Sequence, residues 1–289
     1  MTVVEKWQSR SPLLYLALTL IPILIFFRLG LLFVILVIFL TTIPYKRNKE
    51  FLKDWWLFSL LITLYEYLRG YADNLFFSNS EIVNNIETKL FGYNLTIFLQ
   101  KILPPERFPK NLMLLFSLFY SSFFWMWGVI ALFFWFKSKD TFKKFTMSLL
   151  VLNYISLVIF ILIPTSPPWY LESIHKIKGI ERVLLTNSTY FNLKPLLFFD
   201  PNPFAALPSL HFAWSFLISL FLIKYIKKIG YVSLIYPGIV GFFVIYAGEH
   251  YLIDIFLGGI LVVVSMKVAE LLVNKSNLAS TKNGGPEGT

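Results

Sequence analysis

Residues 111–136, "NLMLLFSLFYSSFFWMWGVIALFFWF", contain no Asp, Glu, Lys or Arg. About 20 consecutive apolar residues suffice to cross the hydrocarbon core of a bilayer, so this run predicts a membrane helix. Further spans are predicted at about 54–72, 145–164, 207–226, 230–248 and 251–273. Ser11–Phe27 and Leu29–Tyr45 are uncharged runs separated by Arg28, with Gly30 close behind. One helix through both would exceed a membrane span, so a tight helical hairpin is expected there. The sum is eight transmembrane helices, or seven if the first two merge. The expected fold is an all-α polytopic membrane protein. It divides into an N-terminal hairpin with a basic loop (1–53), a six-helix core (54–273) and a disordered tail (274–289).

Composition agrees. The chain is 57% hydrophobic and 15% charged, with mean hydropathy +0.67, against about 45–50% apolar and 25% charged in soluble domains. The net charge of +10 does not point to nucleic acid, because Lys and Arg sit in short clusters between apolar runs. Lys46, Arg47, Lys49 and Lys53 form one cluster, Lys137, Lys139, Lys143 and Lys144 a second, and Lys224, Lys227 and Lys228 a third. With eight spans and a cytoplasmic N-terminus all three fall on one side, which the positive-inside rule makes cytoplasmic. The C-terminus is then cytoplasmic, and the long connections at about 73–110 and 165–206 lie outside. With no cysteine, disulfides and thiolate metal sites are excluded. The first apolar run lacks an A-x-A-like cleavage site and reads as a retained helix.

"LFGYNLTIFLQKIL" (90–103) spaces apolar residues as an interfacial helix or a packed loop helix would. Pro164, Pro167 and Pro168 end the fifth span. Asn94-Leu-Thr96 and Asn187-Ser-Thr189 match the short glycosylation sequon.

Polar residues at the span edges carry the functional reading. His250 and Asp254 are four apart and share a helix face. The carboxylate can fix the tautomer of the ring and raise its basicity, leaving a base or nucleophile; a structural hydrogen bond within the bundle is the plain alternative. His211 opens the sixth span just after Pro208 and Ser209, at a helix start where unpaired N–H groups and the dipole favour an anion. Capping or packing would also explain a lone histidine there. Both histidines fall at the outer end by the charge count, and ionisable residues at membrane depth are functional by default. Arg69, near the outer end of the third span, either pairs with Glu66 or holds a phosphate oxygen.

"PSLH" (208–211) followed by "GEHYLIDIFLGG" (248–259) resembles the second and third signature motifs of the type 2 phosphatidic acid phosphatase superfamily. The longer "NPFAALPSLHFAWS", with "PTSPPWY" and "YEYLRGYAD", is similar to the branch that contains the inositol phosphorylceramide synthases. The likeness covers about residues 54–270. It implies that His250 attacks phosphorus to form a phosphohistidine, oriented by Asp254, and that His211 serves as acid and then base. It further implies that Ser209 and nearby N–H groups hold phosphoryl oxygens, and that neither metal nor cofactor takes part. The first phosphatase motif is absent, and Arg69 is the expected substitute clamp.

The resulting expectation is a membrane phosphotransferase acting on a lipid phosphate or phosphodiester donor, with an inositol-like or other polyol acceptor. Water as acceptor would make it a lipid phosphate phosphatase. A transporter of anionic lipid is a third reading, although no internal repeat supports one. A zinc site from His211, His250 and Asp254 is a fourth, with His175 the one histidine left to add.

Overall fold

The computed structural model describes residues 29–72, 81–186 and 204–283, and these form helices joined by short turns. The predicted span Ser11–Phe27, Asp73 and the Asn187 sequon lie outside the described residues. In chain order the helices are α1 (Leu29–Thr42), α2 (Asn48–Arg69), α3 (Ile82–Phe91), α4 (Leu95–Ile102), α5 (Lys110–Ser121), α6 (Met126–Lys137), α7 (Lys139–Leu162), α8 (Pro168–Ser173), α9 (Val183–Thr186), α10 (Leu210–Ile226), α11 (Ile235–Tyr246) and α12 (Leu252–Asn283). Helix α12 continues past the expected boundary at residue 273.

Among the described residues, α7 and the Leu252–Ser276 portion of α12 are long and apolar enough to cross a membrane. Helices α10 and α11 are apolar but shorter, at 17 and 12 residues. Helix α2 is long enough, but Lys49, Glu50, Lys53 and Asp54 occupy its first turns and Glu66 and Arg69 its last. The run at 111–136 is not one straight span. It is broken between Phe124 and Met126 and bends by 58°. The cause is local: Ser121 and Ser122 donate their hydroxyls to the carbonyls of Leu118 and Phe119, and a 3₁₀ turn follows at Ser122–Phe124. Serine hydroxyls that bond back to the preceding turn loosen the helical ladder. Tyr236 of α11 holds the bend through a 2.6 Å hydrogen bond to Ser122 Oγ.

Helix α7 is the axis of the bundle and packs against α2, α6, α10 and α12. The core between them is largely aromatic. Trp55 stacks on Phe51 at 4.7 Å, and Trp127, Trp135, Phe134 and Phe145 are fully buried. A second cluster joins α5 to α11 through Met113, Tyr120, Phe243 and Tyr246. Buried polar atoms link helices as well: Trp214 Nε1 donates to Asn153 Oδ1 at 2.8 Å, tying α10 to α7.

The basic clusters gather where α7 begins. Lys139 contacts both Glu50 and Asp54, and Lys224 pairs with Glu270. Twenty-four residues of α7 at 1.5 Å each carry the chain about 36 Å to the other end of the bundle. There Pro164 stops the helix and the histidine motifs begin.

The stretch at 90–103 is not a single helix. Gly92, with φ of +80°, ends α3, and Asn94 caps α4 by accepting from the N–H of Ile97. Helix α4 turns its polar side inward. Thr96 Oγ1 donates to Ile245 O, and Gln100 Nε2 donates to Tyr246 O and Glu181 O. These bonds satisfy carbonyls at the C-terminus of α11 that the helix itself leaves open. Phe98 and Ile102 stay exposed on the opposite side, an apolar-out arrangement suited to a lipid surface.

Candidate active site

His211 and His250, 39 residues apart, meet at one end of the bundle. The approach of α10 to α12 makes this possible. A β-carbon on Gly258 would lie 3.0 Å from the carbonyl oxygen of Ser209, so a side chain there would force the helices apart. Ser209 donates its own N–H to the carbonyl of Asp254 at 3.1 Å, which locks the two motifs in register.

Gly248 turns the chain out of α11 with φ of +77°, and its carbonyl accepts from the N–H of Trp169 at 3.0 Å. His250 follows, 5% exposed. Its Nδ1 lies 2.9 Å from the carbonyl of Ala206 and 3.3 Å from Asp254 Oδ2. A carbonyl oxygen can only accept, so Nδ1 carries the proton and Nε2 holds the lone pair. Asp254 is fully buried, and its Oδ2 also takes the Tyr251 N–H at 2.8 Å.

Ala206 is held by the segment "PTSPPWY". Thr165 donates its N–H to Phe204 O, accepts the Ala206 N–H at its carbonyl, and takes the Leu207 N–H on its hydroxyl at 3.0 Å. The proline-rich turn therefore aims the carbonyl that sets the tautomer of His250.

His211 Nδ1 stands 3.4 Å from His250 Nε2. Tyr120 and Phe123, from the break between α5 and α6, pack on its ring with centroids 4.5 and 4.3 Å away. Its Nε2 is buried with no hydrogen-bond partner among the described residues. A cleft opens between the two histidines and is also lined by Arg69, Trp169 and Glu249.

Arg69 pairs with Glu66, Nη2 to Oε1 at 2.8 Å, and also lines the cleft. Ser209 is placed differently. It is fully buried, its hydroxyl accepts from the N–H of Phe212 as the cap of α10, and Leu210 and His211, not Ser209, line the cleft. His175 is exposed in the turn after α8 and lines no part of it. Among the described residues no three His, Cys, Asp or Glu side chains come together as a metal site.

Several participants have no signal in motif spacing. Glu87 of α3, 1% exposed, accepts the first N–H of two helices, Leu95 of α4 at 3.1 Å and Leu252 of α12 at 2.7 Å. Burial pushes its carboxyl above the ordinary value, and nearby Asp254 adds to this against the lowering effect of the backbone N–H groups of Leu95, Leu252 and Ile253. Arg182 pairs with Glu249, Nε to Oε1 at 2.9 Å, and lies 3.6 Å over the ring of Trp169. The one hint in sequence was "GEHY", which sets an acid beside the histidine.

Comparison with known proteins agrees with the motifs. A family model described as the PAP2 superfamily matches residues 91–268. A phosphoinositol dihydroceramide synthase of Bacteroides thetaiotaomicron is 29% identical over 196 residues, which is 60% of this chain and 61% of that protein, so the match spans less than two thirds of the relative. No solved structure matches the chain. Taken with the apolar helices, the family match marks an integral membrane protein. Both histidine motifs and most of the bundle fall inside the matched stretch, and the chain belongs to the PAP2 superfamily.

Proposed function

We propose that the chain is a membrane phosphotransferase that moves a phosphoryl group from a lipid phosphate or phosphodiester to a polyol such as inositol, through a phosphohistidine. The observation that carries this reading is the Nε2 lone pair of His250, directed into a cleft beside a second histidine because Ala206 and Asp254 engage Nδ1–H.

In the first step the Nε2 lone pair attacks phosphorus and displaces the contact with His211. The bond from phosphorus to the leaving oxygen breaks, and His211, entering as imidazolium, gives that oxygen its Nδ1 proton. Asp254 steadies the charge that develops on the His250 ring. Arg69 and the N–H groups of Leu210 and His211 at the start of α10 face the phosphoryl oxygens. In the second step His211 takes the proton of an acceptor hydroxyl, whose oxygen attacks phosphorus. The phosphorus–nitrogen bond breaks and its electron pair returns to Nε2. The cycle consumes no redox equivalent and leaves both histidines as they began.

The printed name of the Bacteroides relative joins phosphoinositol to a dihydroceramide, which favours transfer over hydrolysis. The cleft lies at the end of the bundle remote from the basic clusters, so the reading places it on the extracytoplasmic side, with the C-terminus cytoplasmic. It also takes residues 54–273 as the catalytic unit and 1–53 as an appended hairpin.

The test is product analysis with a labelled donor, with and without inositol, in wild type and His250→Ala. Acid-labile label on wild-type protein, absent from the variant, together with label in inositol, is the expected result. Free phosphate alone indicates hydrolysis, and full turnover by the variant excludes the mechanism.

A further inference from the structure

His211 has to carry a positive charge before it can protonate a leaving oxygen, and its polar surroundings do little to hold one. Its Nδ1 faces His250 at 3.4 Å. Its Nε2 is buried with no hydrogen-bond partner among the described residues, so the second N–H of an imidazolium meets no acceptor there, which is costly. Arg69, Glu249 and His250 line the same cleft. Arg69 and a charged His250 repel an added positive charge, Glu249 is paired with Arg182, and Asp254 is turned to the far nitrogen of His250. What the ring meets at close range is aromatic. Tyr120 lies nearly parallel to it, with 17° between the planes and centroids 4.5 Å apart, and Phe123 packs at 4.3 Å and 37°. Both contacts bring an aromatic face, the negative side of its quadrupole, against the imidazole.

The break in the 111–136 run supplies both rings. Tyr120 is the last residue but one of α5, and Phe123 lies in the 3₁₀ turn that follows. Side chains three apart come close to eclipsing as a helix tightens to 3₁₀, so one short segment lays two rings on one imidazole. Phe123 is itself fixed from several sides. It stacks on Trp214 at 4.4 Å, one turn along α10 from His211, and Trp214 Nε1 bonds Asn153 of α7. Tyr236 of α11 holds the same turn through Ser122. Three helices therefore determine where this one ring sits, which is more than lining a cleft requires.

We propose that Phe123, together with Tyr120, holds the His211 ring with Nδ1 toward His250 Nε2 and stabilises its imidazolium through the faces of the two aromatic rings. The attraction of a cation for an aromatic face strengthens where water is excluded. Phe123 has no group that exchanges a proton, so it is a positioning residue that acts through His211. The step it serves rests on the phosphotransferase reading. In that step the Nδ1–H bond of His211 breaks, the proton passes to the leaving oxygen as the phosphorus–oxygen bond breaks, and the ring returns to neutral.

Ring charge and leaving-group dependence separate the proposal from the reading on which it rests. Imidazole nitrogen NMR of the full, histidine-labelled chain in detergent reads the ratio of imidazolium to imidazole at each pH, with the His211 signals identified by their loss in His211→Gln. Phe123→Leu keeps an apolar side chain and removes the ring face. It should lower the His211 ratio about twofold to thirtyfold at a given pH, the range of a cation–π contact. Phe123→Tyr, which puts a ring face back, should restore it. An unchanged ratio in Phe123→Leu, a loss that Phe123→Tyr fails to rescue, or no imidazolium at His211 in wild type at any pH where the fold persists would overturn the proposal. Labelling of His250 is then timed with two donors that differ in leaving group. An alkyl phosphate needs its leaving oxygen protonated, whereas p-nitrophenyl phosphate releases a stable phenolate and does not. Phe123→Leu should slow the alkyl donor by about the factor seen in the ratio and slow the nitrophenyl donor far less. Equal slowing of both is the mark of a general packing defect and would overturn the assignment. A lowered ratio in Phe123→Leu with no labelled His250 from any donor, in wild type as in the variant, would count against the phosphotransferase reading alone.

Discussion

Replacing Glu87 tests how α3 and α4 are tied to the segment that carries His250 and Asp254. Glu87→Ala strands two partly buried N–H groups, on Leu95 and on Leu252. An unsatisfied buried donor costs about 1–3 kcal/mol, and lost helix caps about 0.5–2 kcal/mol each. Part of this is offset, because burying the carboxylate is itself unfavourable, as its raised proton affinity shows. The net expectation is a loss of about 2–4 kcal/mol, which at 1.4 kcal/mol per decade is roughly thirtyfold to nearly a thousandfold in local opening. Hydrogen exchange of the Leu95 and Leu252 amides in detergent reads this directly. Glu87→Gln keeps one acceptor oxygen but turns an amide NH₂ toward the other N–H, and it should lose about half as much.

The pH dependence provides a second check. With the folded carboxyl raised above its ordinary 4.5, the native state holds the proton more tightly than the unfolded chain. Stability from this group is therefore fully present below the ordinary value and is lost as pH climbs through the raised one. Glu87→Gln removes that slope. Unaltered protection of the Leu252 amide in Glu87→Ala, or a slope that survives in Glu87→Gln, would refute the argument.

Three other outcomes are expected. Thr165→Val takes the acceptor from the Leu207 N–H, costs about 1–2 kcal/mol, and slows labelling of His250 in a rapid-quench assay by loosening Ala206. Gly258→Val drives a β-carbon against the Ser209 carbonyl, an overpacking worth about 1–3 kcal/mol; histidine labelling should vanish while membrane insertion, read by carbonate extraction, persists. Turnover should be retained after dialysis against EDTA, and restoration by zinc of activity lost in that dialysis would contradict the histidine mechanism.

What could be read from the sequence was whatever rests on residue type at short range. The apolar runs and the proline stop after α7 each carry their own physical signature; the contact of His250 with Asp254 was also read correctly, but not its basis, because His250 precedes the first residue of α12 and does not share a helix face with Asp254. The break at Ser121–Ser122 was hidden inside an uncharged run, because hydropathy weighs polarity and ignores where a hydroxyl bonds. Ser209 was read as a phosphate ligand because a serine before a helix fits both that role and the cap it actually forms. Ala206 could not have been found at all, since its contribution to His250 is a backbone carbonyl, which every residue has. Glu87 and Leu252 are 165 residues apart, and Arg182 and Glu249 are 67 apart. No periodicity reaches that far; only the packing of α3, α4 and the turn after α8 onto the bundle brings those pairs together.

Glu87 also changes where the working unit of this chain can be cut. Judged by hydropathy, the connection from 73 to 110 is an external loop, the kind of segment commonly shortened to obtain a minimal enzyme. Its carboxylate is nevertheless the cap of the helix that bears Asp254, and its Gln100 closes the end of α11 just ahead of His250. Trimming it would uncover the ends of α11 and α12 beside the histidine cleft. The smallest folded form of this protein therefore includes helices that cross nothing.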